Sequence, residues 1–290
     1  MIRNLSPHAT GALFAFIGVM AISFDGLLVR LADASAPDIL FWRGLFMAIT
    51  LTVVLRLMNG RWTWACMQRG GMDAWWTATG FAATNYLFVL AVLHTTVANA
   101  VVILAASPLF AALFSGLILH EWIPLRTWVA ILLSLAGIVG VFAGSLETGG
   151  WLGDLFALGA AMVVGLKLTL LRRSPQIDRL AVIATGGLLG AVIALFFAAP
   201  LAVSATSLAT LLLMGAVQLP LALVMIALAT RHLPAGEVAL FLVLEAVFGT
   251  LWVWLFLAEA PPLMTLVAGT AVLVTLALHA LASWRDDEAR

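Results

Sequence analysis

The sequence predicts an all-α integral membrane protein with ten transmembrane helices, arranged as two inverted five-helix repeats. Three observations lead to this prediction. The chain of 290 residues is 64% hydrophobic and only 10% charged. Apolar runs of about 20 residues, the length a helix needs to cross the hydrocarbon of a bilayer, recur along its whole length. One sequence pattern occurs twice, 138 residues apart. The polar stretches between the runs are short, so a single membrane domain is expected.

The apolar runs lie at residues 9–31, 37–57, 72–93, 97–119, 125–144, 151–171, 180–200, 207–229, 235–257 and 262–284. A cleaved signal peptide is the alternative for the first run, because Arg3 precedes it and small residues follow it at 32–36. The run is longer than the apolar core of such a peptide, and cleavage would leave unequal halves. A retained first helix is therefore preferred.

The repeated pattern places two polar positions around a helix boundary in each half. Its members are Ser107-Pro108, Glu121 and Pro124 in the first copy, and Glu245-Ala246, Glu259 and Pro262 in the second. Each half holds five apolar runs, and five is odd, so the second copy enters the membrane upside down relative to the first. This predicts repeats at 1–147 and 148–290, with a substrate site between them near the bilayer midplane.

Basic residues predict the orientation. With a cytoplasmic N-terminus, the inner segments hold eleven of the fourteen basic residues: Arg3, Arg56, Arg61, Arg69, Arg126, Arg172, Arg173, Arg179, Arg231, Arg285 and Arg290. The outer segments hold Arg30 alone, while Arg43 and Lys167 lie within spans. Because basic loops stay inside, both termini are predicted to be cytoplasmic, in a bacterial inner membrane.

Several kinds of chemistry are not expected. The single cysteine, Cys66, excludes an intrachain disulfide and a thiolate metal cage, and the five histidines are scattered. No phosphate-binding glycine motif or nucleophile motif occurs, and no basic tract for nucleic acid. We therefore expect no cofactor, no metal and no enzyme, with lipid and a small-molecule substrate as partners. An intramembrane enzyme and a receptor are weaker alternatives. A monomer is one expectation, and the oligomeric state stays open.

Several segments carry a family resemblance. Residues 94–100 (HTTVANA), 107–110 (SPLF), 120–121 (HE) and 128–140 resemble the EamA domain of the drug/metabolite transporter superfamily. Residues 41–43 (FWR) resemble its second helix, where an arginine commonly lies. The resemblance implies tandem EamA domains and a transporter. Within the superfamily, length and aromatic content look most like YddG-type exporters of aromatic and other apolar amino acids, although fold does not fix substrate.

The resemblance and the repeats together predict an exporter of neutral amino acids with large apolar or aromatic side chains, working by alternating access. The alternative is a proton-coupled exporter of apolar organic cations or drugs. Energy source, resting conformation and substrate identity stay open. Polar groups inside spans are candidate site residues, because they are costly in hydrocarbon.

Ionisable candidates come first. Glu245 lies near the centre of the ninth span and is interpreted as a proton carrier or a ligand for a substrate ammonium, the alternative being a bonded structural carboxyl. Asp25 and Arg43 lie at similar depth on adjacent helices and are interpreted as an ion pair, either structural or acting as a gate. Lys167, the only lysine, either extends to the inner interface or binds a carboxylate.

Neutral candidates are Asn85 and Tyr86 in the third span and Gln218 in the eighth, which suit a zwitterion or interhelical bonding. Ser107 lies in the fourth span, beside a proline. Pro108 and Pro220 are predicted to interrupt the fourth and eighth helices, freeing carbonyls for a ligand, for a hinge or for a packing kink. Three tryptophans lie further into the bilayer than its interface. Trp42, Trp252 and Trp254 are candidates either for stacking on an aromatic substrate or for packing.

Overall fold

The structure is a computed structural model that is all-α over the residues it describes. Those residues are 7–120, 122, 125–199, 202–229, 232–233 and 235–288. The side chains of residues 7, 126, 145, 147–148, 235–240, 242 and 279–288 are not described. The predicted repeat positions Glu121 and Pro124, and the basic residues Arg3, Arg231 and Arg290, lie outside the described residues.

Thirteen α-helical segments are described along the chain. They are α1 (Pro7–Ser23), α2 (Asp25–Leu31), α3 (Ala36–Asn59), α4 (Thr63–His94), α5 (Val97–Ala105), α6 (Ser107–Ile118), α7 (Leu125–Thr148), α8 (Trp151–Arg173), α9 (Arg179–Leu195), α10 (Ala205–Leu212), α11 (Leu219–Ala229), α12 (Ala235–Leu257) and α13 (Leu263–Glu288). A π-helical turn, Leu213–Gln218, joins α10 to α11.

Seven described helical stretches are long and apolar enough to cross a bilayer: His8–Leu31, Ala36–Asn59, Thr63–His94, Val97–Ile118, Thr127–Gly144, Trp151–Arg173 and Ala205–Ala229. Three shorter apolar helices are Arg179–Leu195, Val243–Leu257 and Leu263–Leu278. Every predicted span therefore coincides with an apolar helix, while the number of crossings stays a prediction.

Local sequence explains where α3 begins and ends. Ser35 precedes it in an extended conformation, and its hydroxyl accepts a hydrogen bond from the amide of Asp38 at 3.4 Å. Pro37 lies in the first turn, where its missing amide donor costs nothing. Gly60 follows the last residue with φ 66°, a left-handed conformation that glycine adopts without strain. These signals fix α3 as one uninterrupted helix.

Three of the apolar helices are interrupted within their predicted spans, and α4 is kinked at Gly71, just before its span. The first is divided at Phe24, between α1 and α2. The fourth is divided at Ala106, and Pro108 then lies in the first turn of α6. The eighth passes through the π turn immediately before Pro220, the second residue of α11. The wider π turn leaves room for the proline ring. The two proline interruptions follow from the sequence, whereas the break at Phe24 has no proline to predict it.

Eight apolar helices form a closed ring, if each interrupted helix is counted once. Around the ring, α3 packs against α9, α9 against α4, and α4 against α8. Then α8 packs against α5 and α6, α5 against α12, α12 against α1, α1 against α11, and the π turn against α3. The remaining pair, α7 and α13, pack against each other beside the ring. Functional groups on the inner edges of these eight helices can therefore converge.

Small residues let the ring close tightly. At the crossing of α3 and α9, a Cβ added to Gly44 would lie 2.6 Å from the carbonyl oxygen of Gly187. Because real Cβ atoms do not approach oxygen so closely, any other residue at position 44 would require a shift of the helix. Close approach of backbones is the usual basis of helix association in membranes, where lipid removes the hydrophobic driving force.

The short segment α2 lies at one end of the ring. It contacts α4 and α5 from the first half of the chain and α10 and α12 from the second. Its residues Leu27, Leu28 and Val29 are buried. We call this the Thr95 end, after the residue that joins α4 to α5, and we call the opposite end the Asp73 end. In this structure α2 therefore connects the two halves of the chain at the Thr95 end.

Candidate functional site

The break at Phe24 places a buried ion pair inside the ring. Asp25 begins α2, and its Oδ2 atom accepts a hydrogen bond of 2.9 Å from Nη2 of Arg43 in α3. The side chains are only 9% and 4% exposed, respectively. The structure thus brings together the two residues that the sequence suggested as a pair. Either charge without its partner would pay a large desolvation free energy at this buried position.

This pair retains unused hydrogen-bonding capacity. Oδ1 of Asp25 and both Nε and Nη1 of Arg43 are buried and have no hydrogen-bond partner among the described residues. A buried polar group without a partner costs free energy, so groups of this kind are expected to meet a ligand or water. The pair therefore offers one free acceptor and two free donors side by side, which suits a molecule that carries both an amine and a carboxylate.

The interruption of the first helix also exposes carbonyl groups at the end of α1, because the last four carbonyls of a helix lack partners within it. Nε2 of Gln218, in the π turn, donates to the carbonyl of Ala21 at 2.8 Å. The Ser23 hydroxyl donates to the carbonyl of Met20 at 2.8 Å. Oε1 of Gln218 has no partner and is buried. The amide of Gln218 thus stabilises the break and still presents a free acceptor.

Aromatic rings form one wall of the same region. Trp252 of α12 donates from Nε1 to the Ser23 hydroxyl at 2.9 Å and stacks on Phe24, with ring centroids 4.7 Å apart and planes 10° apart. Phe248 stacks on Trp252 at 6.1 Å. Phe88 of α4 lies opposite, with its ring centroid 5.9 Å from Cζ of Arg43. An apolar or aromatic group could pack here without losing contact with the charges.

Glu245 lies on the face of α12 that carries Phe248 and Trp252, since residues three and seven positions apart share one side of a helix. It is close enough to Asp25 for the two carboxylates to repel each other. The structure therefore brings Glu245, Asp25, Arg43 and the aromatic wall into one group, which we call the central cluster together with Gln218. It contains two acidic side chains and a single arginine.

Lys167 lies apart from the central cluster, between α8 and α4. Its Nζ atom is 3.8 Å from the ring centroid of Phe81 and 3.3 Å from the hydroxyl of Thr84. The side chain is buried, and no described acidic residue lies in ion-pair contact with it. The alternative in which Lys167 reaches the membrane surface does not match this position. Asn85 follows Thr84 on α4, is half-buried and makes no hydrogen bond to a described residue.

Other sequence candidates lie elsewhere. Tyr86 donates from its hydroxyl to the carbonyl of Gly190 at 2.9 Å, so it ties α4 to α9. Trp42 stacks on Phe46 with a centroid distance of 5.2 Å, and Phe46 packs beside the π turn.

Ser107 is half-buried and Pro108 exposed at the start of α6. The structure does not join these residues to the central cluster. Trp254 is 53% exposed on the outer surface.

A second polar group, at the Thr95 end, was missed in the sequence. Asp154 of α8 is fully buried, and its Oδ1 atom accepts hydrogen bonds from the Thr95 hydroxyl at 2.7 Å and from Nδ2 of Asn99 at 3.3 Å. The Thr265 hydroxyl of α13 donates to Oδ1 of Asn99. We call these four residues the Thr95 network. Asp154 is an acidic residue at the start of an apolar run, a signal that could have marked it as a site residue.

The end of α2 joins this network. Nη2 of Arg30 donates to the carbonyl of Thr95 at 2.8 Å and lies 3.5 Å from Oε1 of Glu259. The same glutamate oxygen accepts from the amide of Val97 at 3.3 Å. Arg30 therefore links α2 to the first half at Thr95 and to the second half at Glu259. These bonds therefore fasten α2 to both halves of the chain at the Thr95 end.

Metal binding finds no support among the described residues, where no group of three or more histidine, cysteine, aspartate or glutamate side chains is assembled. The carboxylates of Asp25 and Asp154 are bound instead to arginine, threonine and asparagine. The chemistry that these groups offer is reversible binding of charged and polar groups.

Three comparisons found proteins similar to this chain. A model of the EamA-like transporter family matches residues 9–143. Two relatives, both the pseudopaline exporter CntI of Pseudomonas aeruginosa, from strains UCBPP-PA14 and PAO1, are 28% and 29% identical over 278 residues. Each alignment covers 91% of this chain and 94% of the relative. A crystal structure 18% identical in sequence has a TM-score of 0.65 and covers 96% of this chain and 98% of its own, which shows a shared fold.

Proposed function

Because a model of the EamA-like transporter family matches residues 9–143, we propose that the chain is a transporter of this kind, which exports small zwitterionic metabolites of the amino-acid type across the bacterial inner membrane by alternating access. The family match supports the broader prediction of a multi-pass membrane transporter. The export direction is supported by two relatives that are exporters and that align along most of the chain. The narrower likeness to YddG-type exporters is part of the proposal.

The proposed architecture is ten transmembrane helices in two inverted repeats, residues 1–147 and 148–290. The helix pairings support it. If the ten apolar helices are numbered in chain order, the first packs against the eighth as the third packs against the sixth. The second packs against the seventh, the fourth against the ninth and the fifth against the tenth. Exchanging each helix of one half for the helix five places along in the other half turns the first–eighth pair into the sixth–third pair. The same exchange leaves the other three pairs unchanged, as expected for two inverted halves.

The proposed orientation follows the basic residues, which place both termini in the cytoplasm. The Asp73 end then faces the cytoplasm and the Thr95 end faces outward. With α2 across the Thr95 end, the structure resembles the state that is closed to the outside. Release of cargo would require α2 to turn about the break at Phe24 and Arg30 to leave Thr95 and Glu259.

The observation that carries the substrate proposal is the unsatisfied ion pair. Arg43 has two free donors and Asp25 one free acceptor, inside a ring built from both halves of the chain. A carboxylate would meet the donors, and an ammonium would meet Asp25 or Glu245. Phe24, Phe248 and Trp252 supply an apolar wall. The simplest molecules with these groups are neutral amino acids with large apolar or aromatic side chains.

A second candidate, a proton-coupled exporter of apolar organic cations, is favoured by a specific feature of the central cluster. Two carboxylates, Asp25 and Glu245, lie near a single arginine and an aromatic wall. A ligand cation could replace a proton on the second carboxylate and stack on Trp252. This candidate leaves the free donors of Arg43 without a partner, so we rank it second.

Counterflow in proteoliposomes separates the two candidates. Liposomes loaded with unlabelled phenylalanine are expected to accumulate labelled phenylalanine faster than protein-free liposomes do. Threonine tests the need for a large apolar group, and a quaternary amine tests the cation candidate. Counterflow of the amine together with failure of both amino acids would overturn the amino-acid proposal.

The change Glu245→Gln is expected to abolish any stimulation of transport by a pH gradient while counterflow at symmetric pH continues. Arg43 is paired with Asp25, and Glu245 lies near Asp25 with no cation of its own among the described residues. A proton or a cargo ammonium must therefore balance the charge of Glu245, and an amide removes that need. Glu259→Gln, the same change at the Thr95 end, is the matched control and is expected to keep the stimulation. Stimulation that persists in Glu245→Gln would exclude Glu245 as the proton carrier.

A further inference from the structure

Two buried cations from neighbouring helices, Lys167 of α8 and Arg43 of α3, each lie over a phenylalanine ring of α4. Nζ of Lys167 lies over Phe81, and the guanidinium of Arg43 lies over Phe88. Phe81 also lies next to Gly186 of α9, since a Cβ there would be 2.7 Å from the Phe81 Cβ. Phe81 is thus placed where α4, α8 and α9 meet. Arg43 reaches Phe88 from α3, on the far side of α9 in the ring.

The spacing of the two phenylalanine rings follows from their positions in α4. Phe81 and Phe88 are seven residues apart, which is nearly two full turns, so they share one face of the helix. At a rise of 1.5 Å per residue their separation along the axis is about 10 Å. The only non-helical residue within α4 is Gly71, outside this stretch. The two rings that hold the cations are therefore attached about 10 Å apart along α4, with Asn85 between them.

Neither cation is fully satisfied. Lys167 has one hydroxyl contact and one aromatic contact but no described carboxylate partner. Arg43 uses Nη2 for Asp25 and leaves Nε and Nη1 free. The two cations contact different rings, come from different helices and have no acceptor in common among the described residues. A cargo with two separate acceptors would give each cation a partner of its own.

We propose that the cargo carries two carboxylates, or equivalent anionic groups, at opposite ends, one bound by Lys167 and the other by Arg43. An amine near the second anionic group meets Asp25 or Glu245. Such a molecule is an amino acid extended by an acidic arm, and it is longer than a neutral amino acid. This inference rests on the proposed function, which it narrows from amino-acid-type zwitterions to their two-carboxylate conjugates.

The test compares phenylalanine with γ-glutamyl-phenylalanine, which has two carboxylates and an amine, in proteoliposome counterflow. The control cargo is the same conjugate with its phenylalanine carboxylate converted to an amide. We expect the two-carboxylate conjugate to be preferred over the amide by about tenfold, the usual effect of one hydrogen bond to a charged group. Lys167→Gln is expected to remove that preference, and Lys167→Arg to keep it.

The outcomes are distinguishable. The unfolding midpoint of Lys167→Gln in detergent, compared with that of Lys167→Arg, shows whether the variant is folded, and phenylalanine counterflow by the unchanged protein is the reference for the proposed function. Equal transport of the conjugate and its amide, or a preference that Lys167→Gln leaves unchanged, would overturn the two-carboxylate inference and leave the proposed function standing. Failure of phenylalanine and of both conjugates, with transport of the quaternary amine, would overturn the proposed function itself.

Discussion

Replacing Asp25 by asparagine, or Arg43 by glutamine, is expected to destabilise the protein by about 3–5 kcal/mol, because each change leaves one buried charge without its partner. The side chains of the pair are 9% and 4% exposed, so solvent screens the loss very little. The measurement is the unfolding midpoint of the purified protein in detergent. Both single variants should unfold at clearly lower temperature than the unchanged chain.

The double variant Asp25→Asn/Arg43→Gln separates stability from binding. Two amides can hydrogen-bond to each other without either charge, so most of the lost stability should return. Transport should not return, because the double variant lacks the charged donors and the carboxylate that we assign to the cargo. Counterflow of phenylalanine at background level, in a protein with a restored unfolding midpoint, is the expected result.

Exchanging the two charges tests whether the ion pair is only structural. If Asp25→Arg/Arg43→Asp restores both the unfolding midpoint and the rate of counterflow, the pair is structural and its position carries no recognition. Tyr86→Phe is a suitable control, because it removes one partly buried hydroxyl that bonds to Gly190 outside the central cluster. It should cost about 1 kcal/mol and leave substrate selection unchanged.

The helices could be predicted from the sequence because apolar run length and proline position are local signals. Pro108 and Pro220 each lie at a helix interruption, as their missing amide donors require. The break at Phe24 could not be predicted in this way. It depends on contacts from other helices, namely Gln218 to the Ala21 carbonyl and Trp252 to the Ser23 hydroxyl. Those partners are more than 190 residues away in the chain.

The candidate site was predicted only in part, for a related reason. Charged residues inside apolar runs are conspicuous, and Asp25, Arg43, Glu245 and Lys167 were found by that signal. Whether a neutral polar residue faces the ring or a neighbouring helix depends on helix rotation, which the sequence does not supply. Tyr86 was a candidate and ties two helices together, whereas Asp154 was overlooked and forms the centre of the Thr95 network.

Cross-linking Arg30 to Glu259 is expected to reduce transport to the background of empty liposomes. In the variant Arg30→Cys/Glu259→Cys, a short bifunctional thiol reagent would replace the ion pair of 3.5 Å with a covalent bridge. The bridge would join α2 to the loop between α12 and α13 and keep α2 across the ring. Since alternating access requires this end to open in every cycle, each bridged molecule should be inactive.

Removing the ion pair without bridging it should do much less. The two side chains are 29% and 27% exposed, and partly exposed pairs contribute about 1 kcal/mol or less. The double-cysteine variant should therefore transport before treatment and again after the bridge is cleaved with a reducing agent, if the reagent contains a disulfide. This reversibility separates a locked protein from a damaged one. The native Cys66 is replaced by alanine in all variants.

A matched bridge at the other end of the ring makes the test specific. Arg173 lies 3.8 Å from Asp73, and this pair joins α8 to α4, which pack along their length and should move together. Bridging Asp73→Cys/Arg173→Cys should leave counterflow within about twofold of the unbridged protein, an effect on the barrier well below 1 kcal/mol. Inhibition by both bridges would contradict a gate at α2, and so would full activity with α2 bridged. Inhibition by the Arg30–Glu259 bridge alone would identify α2 as the element that opens the Thr95 end.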